Sequence, residues 1–255
     1  MAVALEVRSI RKEFGGIVAL DGVSLEAHLG QVTAVIGPNG AGKTTLFNVI
    51  AGVHRPTSGE VSLLGTRLDD APPEERVRRG VARTFQNALL FGNMSVLENV
   101  MVGRHTRSRC GFLAAALRTP AFRHEEEEIY LQAMRYLNLV GLGSKARESA
   151  AALPFGQQRL LAIARALATE PHLLMLDEPG AGLNALEKAE LAELIARVRA
   201  SGLAILLVEH DMELVMHSAD KVVVLDYGQK IAEGTPAEVQ TNKKVIEAYL
   251  GEETD

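Results

Sequence analysis

The segment Gly37-Pro-Asn-Gly-Ala-Gly-Lys-Thr44 constrains the fold more than any other part of the chain. It matches G-x-x-x-x-G-K-[ST], follows the apolar run Val32–Ile36, and opens a stretch of helical spacing, Thr44–Val53. In that strand–loop–helix context, glycines let the backbone wrap a phosphate so that successive N–H groups point inward. The helix starting near Lys43 adds the positive end of its dipole. The motif assigns Lys43 to the β- and γ-phosphates of a nucleotide and the Thr44 hydroxyl to Mg²⁺. Gly37, Pro38, Asn39, Gly40, Ala41, Gly42 and Thr45 complete the cradle.

Leu173-Leu-Met-Leu-Asp177-Glu178 reads as a buried strand ending in two acids. Asp177 is placed to hold Mg²⁺, and Glu178 to polarise an attacking water. The neighbouring segments repeat a pattern. A helix over Gln157–Thr169 leads to the apolar run His172–Leu176, and a helix over Ala185–Ala200 leads to Leu203–Val208, which ends in Glu209-His210. A third helix, Met212–Ser218, leads to Lys221–Leu225. Continuous apolar runs alternating with helices mark a parallel sheet covered on both faces. Gly228 fits a turn into Lys230–Glu233, and Pro236–Leu250 reads as a closing helix.

The N-terminal part has short strands, Leu5–Arg8, Ile17–Leu20 and Gly22–Leu25, broken at Gly15–Gly16 and Gly30. Residues ~70–152 read as mostly helical and rich in Arg and Glu. Within them, Gly103–His124 carries Arg104, Arg107, Arg109, Arg118 and Arg123 and no acid, and Glu125–Glu128 follows at once. Those acids read as the first turn of a solvated helix. A contact surface for a partner or for lipid headgroups is the alternative.

Composition excludes several classes. With 27 Lys+Arg against 32 Asp+Glu the net charge is −5, which is not the charge of a general nucleic-acid binder. At 47% apolar residues the chain is not disordered. The single cysteine, Cys110, allows no intrachain disulfide. No apolar run approaches the ~20 residues of a membrane helix, and charged residues interrupt the N-terminus where a signal peptide would be apolar. A chain of this kind is expected to be soluble by itself and to need a partner if it works at a membrane.

Further segments give the chain a family resemblance. Phe14 stands where ATP-binding cassette (ABC) ATPases have an adenine-stacking aromatic, and Arg83-Thr-Phe-Gln86 is similar to their Q-loop. Leu153-Pro-Phe-Gly-Gln157 takes the place of the LSGGQ signature. Ala181-Gly-Leu-Asn184 resembles the D-loop, and His210 the switch histidine. Together with the phosphate loop and Asp177-Glu178, these fall in the family's order over almost the whole length. A closer likeness is to the Liv-type ATP-binding subunit of branched-chain amino-acid importers. It rests on Ala82–Gln86, Gly156–Arg159, Val208–Met212 and Tyr249–Gly251. Urea or short-chain amide importers and the lipopolysaccharide exporter's ATPase share several of these fragments.

The resemblance implies an α/β P-loop NTPase of ABC ATPase type, with an N-terminal antiparallel β subdomain, a mostly parallel core sheet and a helical insertion. Its expected divisions are 1–86 with 154–235 as core and β subdomain, 87–153 as helical subdomain, and 236–255 as C-terminal helix and tail. It implies ATP and Mg²⁺ as ligands, with Thr44, Gln86 and Asp177 on the metal, and Glu178, His210 and Gln86 as catalytic residues. Pro154, Phe155, Gly156 and Gln157 would contact the ATP held by a second cassette, in a homo- or heterodimer. Two transmembrane permease subunits, and indirectly an extracytoplasmic solute-binding protein, are the implied partners, with no nucleic acid. The implied place is peripheral, at the cytoplasmic face of the inner membrane.

The chain departs from the family at two points. Pro154 stands where the consensus has Ser, removing a hydroxyl while keeping a φ that suits a helix start. Asn184 replaces the D-loop Asp. These departures motivate a non-hydrolysing regulator as a competing reading, against which Glu178 and His210 count. An ABC ATPase of nucleic-acid repair or translation is another. It would usually carry two cassettes or a long coiled coil, and neither is present.

Overall fold

The computed structural model describes residues 2–85, 89–107 and 119–250. The chain forms two compact units, residues 1–83 with 172–255, and residues 84–171.

In the first unit, β1 (Val3–Phe14) and β2 (Ile17–His28) form an antiparallel hairpin turned at Gly15 and Gly16, both at positive φ. The sequence pattern divides β2 at Asp21–Gly22. The strand instead runs through, because Gly22 at φ 72° absorbs a bulge between the pairs Ile10↔Val23 and Lys12↔Leu20. Strands β4 (Ser58–Leu63) and β5 (Thr66–Arg67) extend the sheet to the order β2-β1-β4-β5. This is the expected antiparallel β subdomain.

The second sheet of this unit contains β3 (Val32–Ile36), β6 (Val81–Arg83), β7 (Leu173–Asp177), β8 (Ala204–Val208), β9 (Lys221–Asp226) and β10 (Gln229–Gly234). Its order is β10-β9-β3-β8-β7-β6, parallel throughout except for the β9–β10 hairpin. Every residue of β3, β7 and β8 is buried, which explains why these strands read as unbroken apolar runs. Strand β6 lies inside the stretch read as helical. Three residues carry no periodicity, and only pairing such as Val81↔Leu173 makes them a strand.

Helix α1 (Lys43–Ile50) buries Leu46, Phe47, Val49 and Ile50 in a core shared with Leu5, Leu25 and Leu173. It ends before Val53, since the chain turns through Gly52 at φ 82°. Its last carbonyls are closed by Arg76 of α2 (Pro73–Arg78), a residue only 1% exposed. The guanidinium donates to Val49 O at 2.7 Å, Ile50 O at 2.8 Å and Ala71 O at 2.9 Å. Desolvation draws the Arg76 guanidinium below its ordinary pKa. Arg76→Leu should strand these carbonyls and cost about 3 kcal/mol. The check is a lower urea midpoint with an unchanged slope.

The second unit holds α3 (Val96–Arg104), α4 (Pro120–Leu139) and α5 (Phe155–Leu167). Ser95 and Glu98 form a capping box at the start of α3. At its end Gly103 lets α3 press on α5, where an added Cβ would stand 2.2 Å from the Arg165 carbonyl oxygen. That packing holds α5 with the helical unit. The boundary therefore falls at Pro171, not at residue 153 as the resemblance implied. Helix α4 starts at Pro120 under a Thr119 cap, so its first turn holds no acid and Glu125–Glu128 lie further along. Arg104 pairs with Glu170 at 2.6 Å, and Arg107 donates to the Thr169 and Glu170 carbonyls. Residues 108–118 of the Arg-rich run lie outside the described residues.

Back in the first unit are α6 (Ala185–Ala200) and α7 (Met212–Ser218). The closing helix is two, α8 (Pro236–Gln240) and α9 (Lys243–Leu250). Asn242 separates them, its Oδ1 accepting from the Lys244 N–H as a cap would. Among the described residues no helix is long and apolar enough to cross a membrane.

Candidate functional site

Two glycines of the phosphate loop are required by close approach. A Cβ on Gly37 would lie 2.0 Å from the Leu225 carbonyl oxygen at the end of β9, and one on Gly42 would lie 2.7 Å from the Ala19 carbonyl oxygen of β2. Both also hold positive φ, which L side chains rarely adopt. The loop is thus wedged between the two sheets of its unit. Lys43 folds back across it, donating from Nζ to Gly37 O at 2.5 Å and Pro38 O at 2.6 Å. Thr44 is exposed at the helix start and Thr45 is half-buried. Beside the loop opens a cleft of about 620 Å³ lined by Pro38, Asn39, Gly40, Ala41, Tyr227 and Lys244.

Phe14 sits at the tip of the β1–β2 hairpin and is 41% exposed. His54 meets the ring edge-on at 5.2 Å between centroids, and Lys12 Nζ lies 4.6 Å from its centre. Phe14 is thus held yet remains exposed, as base stacking requires.

Asp177 closes β7 and is nearly buried. Arg83, from the end of the neighbouring strand β6, donates to Asp177 Oδ2 at 2.7 Å and to Asn48 Oδ1 of α1 at 2.7 Å. Sequence reasoning missed Arg83 because it missed β6. A lone cation closing the apolar pair Val81-Ala82 was the available signal. Glu178 adopts φ 45°, an unusual conformation for a long side chain, while its N–H donates to Val208 O at 2.9 Å. Its carboxylate stands 3.8 Å from His210 Nδ1, and the His210 side chain is 63% exposed. The two residues expected to act together are therefore brought together.

Glu209 was read only as part of a strand end. It is wholly buried. Its carboxyl accepts from Gly180 N–H at 2.6 Å, His210 N–H at 3.2 Å and Asp211 N–H at 3.4 Å. Burial pushes it above the ordinary carboxylate range, against the N–H groups that favour the charged form.

In the helical unit, Pro154 is the N-cap of α5 at φ −55°, with no side-chain cap, where a Ser would have had a hydroxyl to offer. Gly156 is buried in the first turn, and Gln157 accepts from Lys145 Nζ at 2.8 Å. Exposed Phe155 carries Arg159 4.8 Å above its ring. Asn184, the other departure, caps α6 in a capping box with Glu187, a role its side chain performs as an Asp would. Gln86 lies outside the described residues.

The donor set suits Mg²⁺. The Thr44 hydroxyl and the Asp177 carboxylate are hard oxygen ligands, and Mg²⁺ characteristically takes one or two carboxylates with substrate phosphates completing its shell. Among the described residues no group of three or more His, Cys, Asp or Glu forms a denser site.

A family model described as "ABC transporter" matches residues 20–181, well over half of the chain. The chain belongs to the ABC transporter family. A second model, described as "Branched-chain amino acid ATP-binding cassette transporter", matches residues 229–255. The high-affinity branched-chain amino acid transport ATP-binding protein BraF of Pseudomonas aeruginosa is 46% identical, over 97% of this chain and 98% of that protein. LivG of Escherichia coli, of the same description, is 44% identical over 97% and 98%. Among solved structures, the ADP conformation of an ATP-binding cassette of an ABC transporter superposes with a TM-score of 0.86, at 33% identity over 98% of this chain and all of that one. A dimeric cassette in a post-hydrolysis state, bound to ADP and Pi, gives 0.76 at 26% identity over 91% of this chain and 98% of that one. As an ABC cassette the chain binds ATP and couples its hydrolysis to transport.

Proposed function

We propose that this chain powers the import of branched-chain amino acids from the cytoplasmic face of the inner membrane. The observation that carries the solute class is near-full-length identity of 44–46% to proteins described as branched-chain amino acid transport ATP-binding proteins. The match of residues 229–255 to a model of the same description supports it. A second cassette, two permease subunits and an extracytoplasmic solute-binding protein complete the proposed assembly.

The proposed chemistry follows from the site. Lys43 leaves the Gly37 and Pro38 carbonyls for the β- and γ-phosphates, with Thr45 and the N–H groups of residues 39–44 around them. Phe14, exposed at the hairpin tip, offers its ring to adenine. Thr44, Asp177 and Gln86 hold Mg²⁺, which when bound neutralises developing charge on the phosphates. Arg83 fixes one oxygen of Asp177 and leaves the other for the metal. Glu178 accepts a proton from the attacking water, and His210, whose Nδ1 stands 3.8 Å from the Glu178 carboxylate, steadies the γ-phosphate. Pro154, Phe155, Gly156 and Gln157 open α5 towards the ATP of the second cassette, whose γ-phosphate is favoured by the dipole at that helix start.

The test is a membrane pull-down with the Glu178→Gln chain in ATP and Mg²⁺, with partners identified by mass spectrometry. Two multi-span permeases and a second cassette are the expected capture. The accompanying binding protein should bind Leu, Ile or Val in preference to urea. Recovery of a single export-type permease would sink the import reading.

A further inference from the structure

Glu178 and His210 come from two loops that follow different strands, β7 and β8. Something must hold those loops in register. The backbone at Glu178 is itself costly, since a non-glycine residue at φ 45° persists only where its surroundings enforce it. One tether is visible at the residue itself, where the Glu178 N–H donates to Val208 O of β8 at 2.9 Å.

The second tether is Glu209. One carboxyl oxygen, Oε1, accepts from the Gly180 N–H at 2.6 Å, two residues beyond Glu178. The other, Oε2, accepts from the N–H groups of His210 at 3.2 Å and Asp211 at 3.4 Å. A single buried side chain thus joins the loop that carries Glu178 to the turn that carries His210. Gly180 is shaped for this contact, because a Cβ there would stand 2.8 Å from Glu209 Oε1 and 2.8 Å from Leu214 Cδ2. The far side of the turn is anchored separately. Asp211 caps α7 by accepting from Leu214 N–H at 3.1 Å and is ion-paired with Lys188 of α6.

We infer that Glu209 is a positioning residue for hydrolysis, clamping the loop of the proton acceptor Glu178 to the turn of His210 so that the two side chains face one site. It acts through the 3.8 Å approach of Glu178 to His210. Nucleotide binding runs through the phosphate loop and Phe14, which Glu209 does not contact among the described residues. Loosening the clamp therefore lowers kcat and leaves KM for ATP in place. The inference rests on the proposed roles of Glu178 and His210.

The experiment compares ATP hydrolysis by the full chain carrying Glu178→Gln, Glu209→Leu or Glu209→Gln, with thermal melts of each. Glu209→Leu removes every acceptor. It should lower kcat about tenfold or more, with KM for ATP within about twofold of the parent. Glu209→Gln keeps a carbonyl oxygen of the same reach for Gly180 but turns its NH2 towards the His210 and Asp211 N–H groups, so it should recover only part of that loss. A folded Glu209→Leu chain turning over at the parental rate overturns the inference, as does a defect confined to KM. Should Glu209→Leu not fold, Gly180→Ala takes its place, because it keeps the carboxyl but pushes it off the Gly180 N–H. Parental kcat in that variant overturns the inference equally. Failure of the underlying site reading looks different. There Glu178→Gln itself retains turnover, whereas a failed clamp leaves Glu178→Gln inactive and Glu209→Leu active.

Discussion

Glu178→Gln should lower ATP turnover by about a thousandfold while leaving ATP binding intact. The amide has the size of the carboxylate and can keep the φ 45° backbone, since the Glu178 N–H bond to Val208 O is untouched. What it loses is the ability to take a proton from water. Among the described residues nothing at hand replaces it, because His210 is 3.8 Å away on the exposed side and Asp177 is committed to Arg83. With hydrolysis blocked, ATP between two cassettes is no longer consumed, and the dimer should accumulate. Phosphate release measures the first effect, and light scattering with and without ATP the second. Hydrolysis at the parental rate would remove Glu178 from its role.

Lys43→Ala should abolish turnover by a different route, through binding. The ammonium is the cation of the loop itself, seated between the Gly37 and Pro38 carbonyls. Charge-assisted bonds to a polyphosphate in a preorganised site are worth factors of about a hundred to a thousand each. Removing Nζ also deletes the two contacts that draw the loop closed. ATP affinity should fall by about a hundredfold or more, read by titration with a fluorescent nucleotide. Stability should change little by comparison, because the loop stays wedged by Gly37 against Leu225 and by Gly42 against Ala19. A chain that binds ATP normally without Nζ would exclude the assignment.

The contrast between these variants follows what could be read from the amino-acid sequence. The phosphate loop is legible because backbone chemistry dictates its residues: glycine where a Cβ would strike Leu225 or Ala19, lysine where a cation must reach back. Asp177, Glu178 and His210 are legible because each follows an apolar run, and a parallel sheet delivers strand ends to one edge. Arg83 and Glu209 were not, although each also sits at a strand end. Arg83 closes a strand of three residues that only its partner β7 stabilises. Glu209 reads as a polar residue beginning a loop, and only packing turns it inward. The break at Asn242 and the continuity of β2 through Gly22 were hidden for the same kind of reason. One side-chain cap splits a helical pattern, and one bulge joins two strand patterns.

The strand order has a consequence for synthesis. Strand β3, which delivers the phosphate loop, lies between β8 and β9, pairing Val35 with Val208 and with Val223. Neither neighbour exists until the ribosome has passed the helical unit and most of the rest of the chain. At about 5–20 residues per second the wait is on the order of ten seconds or more. Throughout it the five residues of β3, four of them apolar, have both edges open. The helical unit, residues 84–171, is complete sooner and can fold meanwhile on its own contacts. The strand that delivers the phosphate loop thus gains its second neighbour only late in synthesis, and a chain released after β8 but before β9 would carry the whole phosphate motif with only one of its two flanking strands.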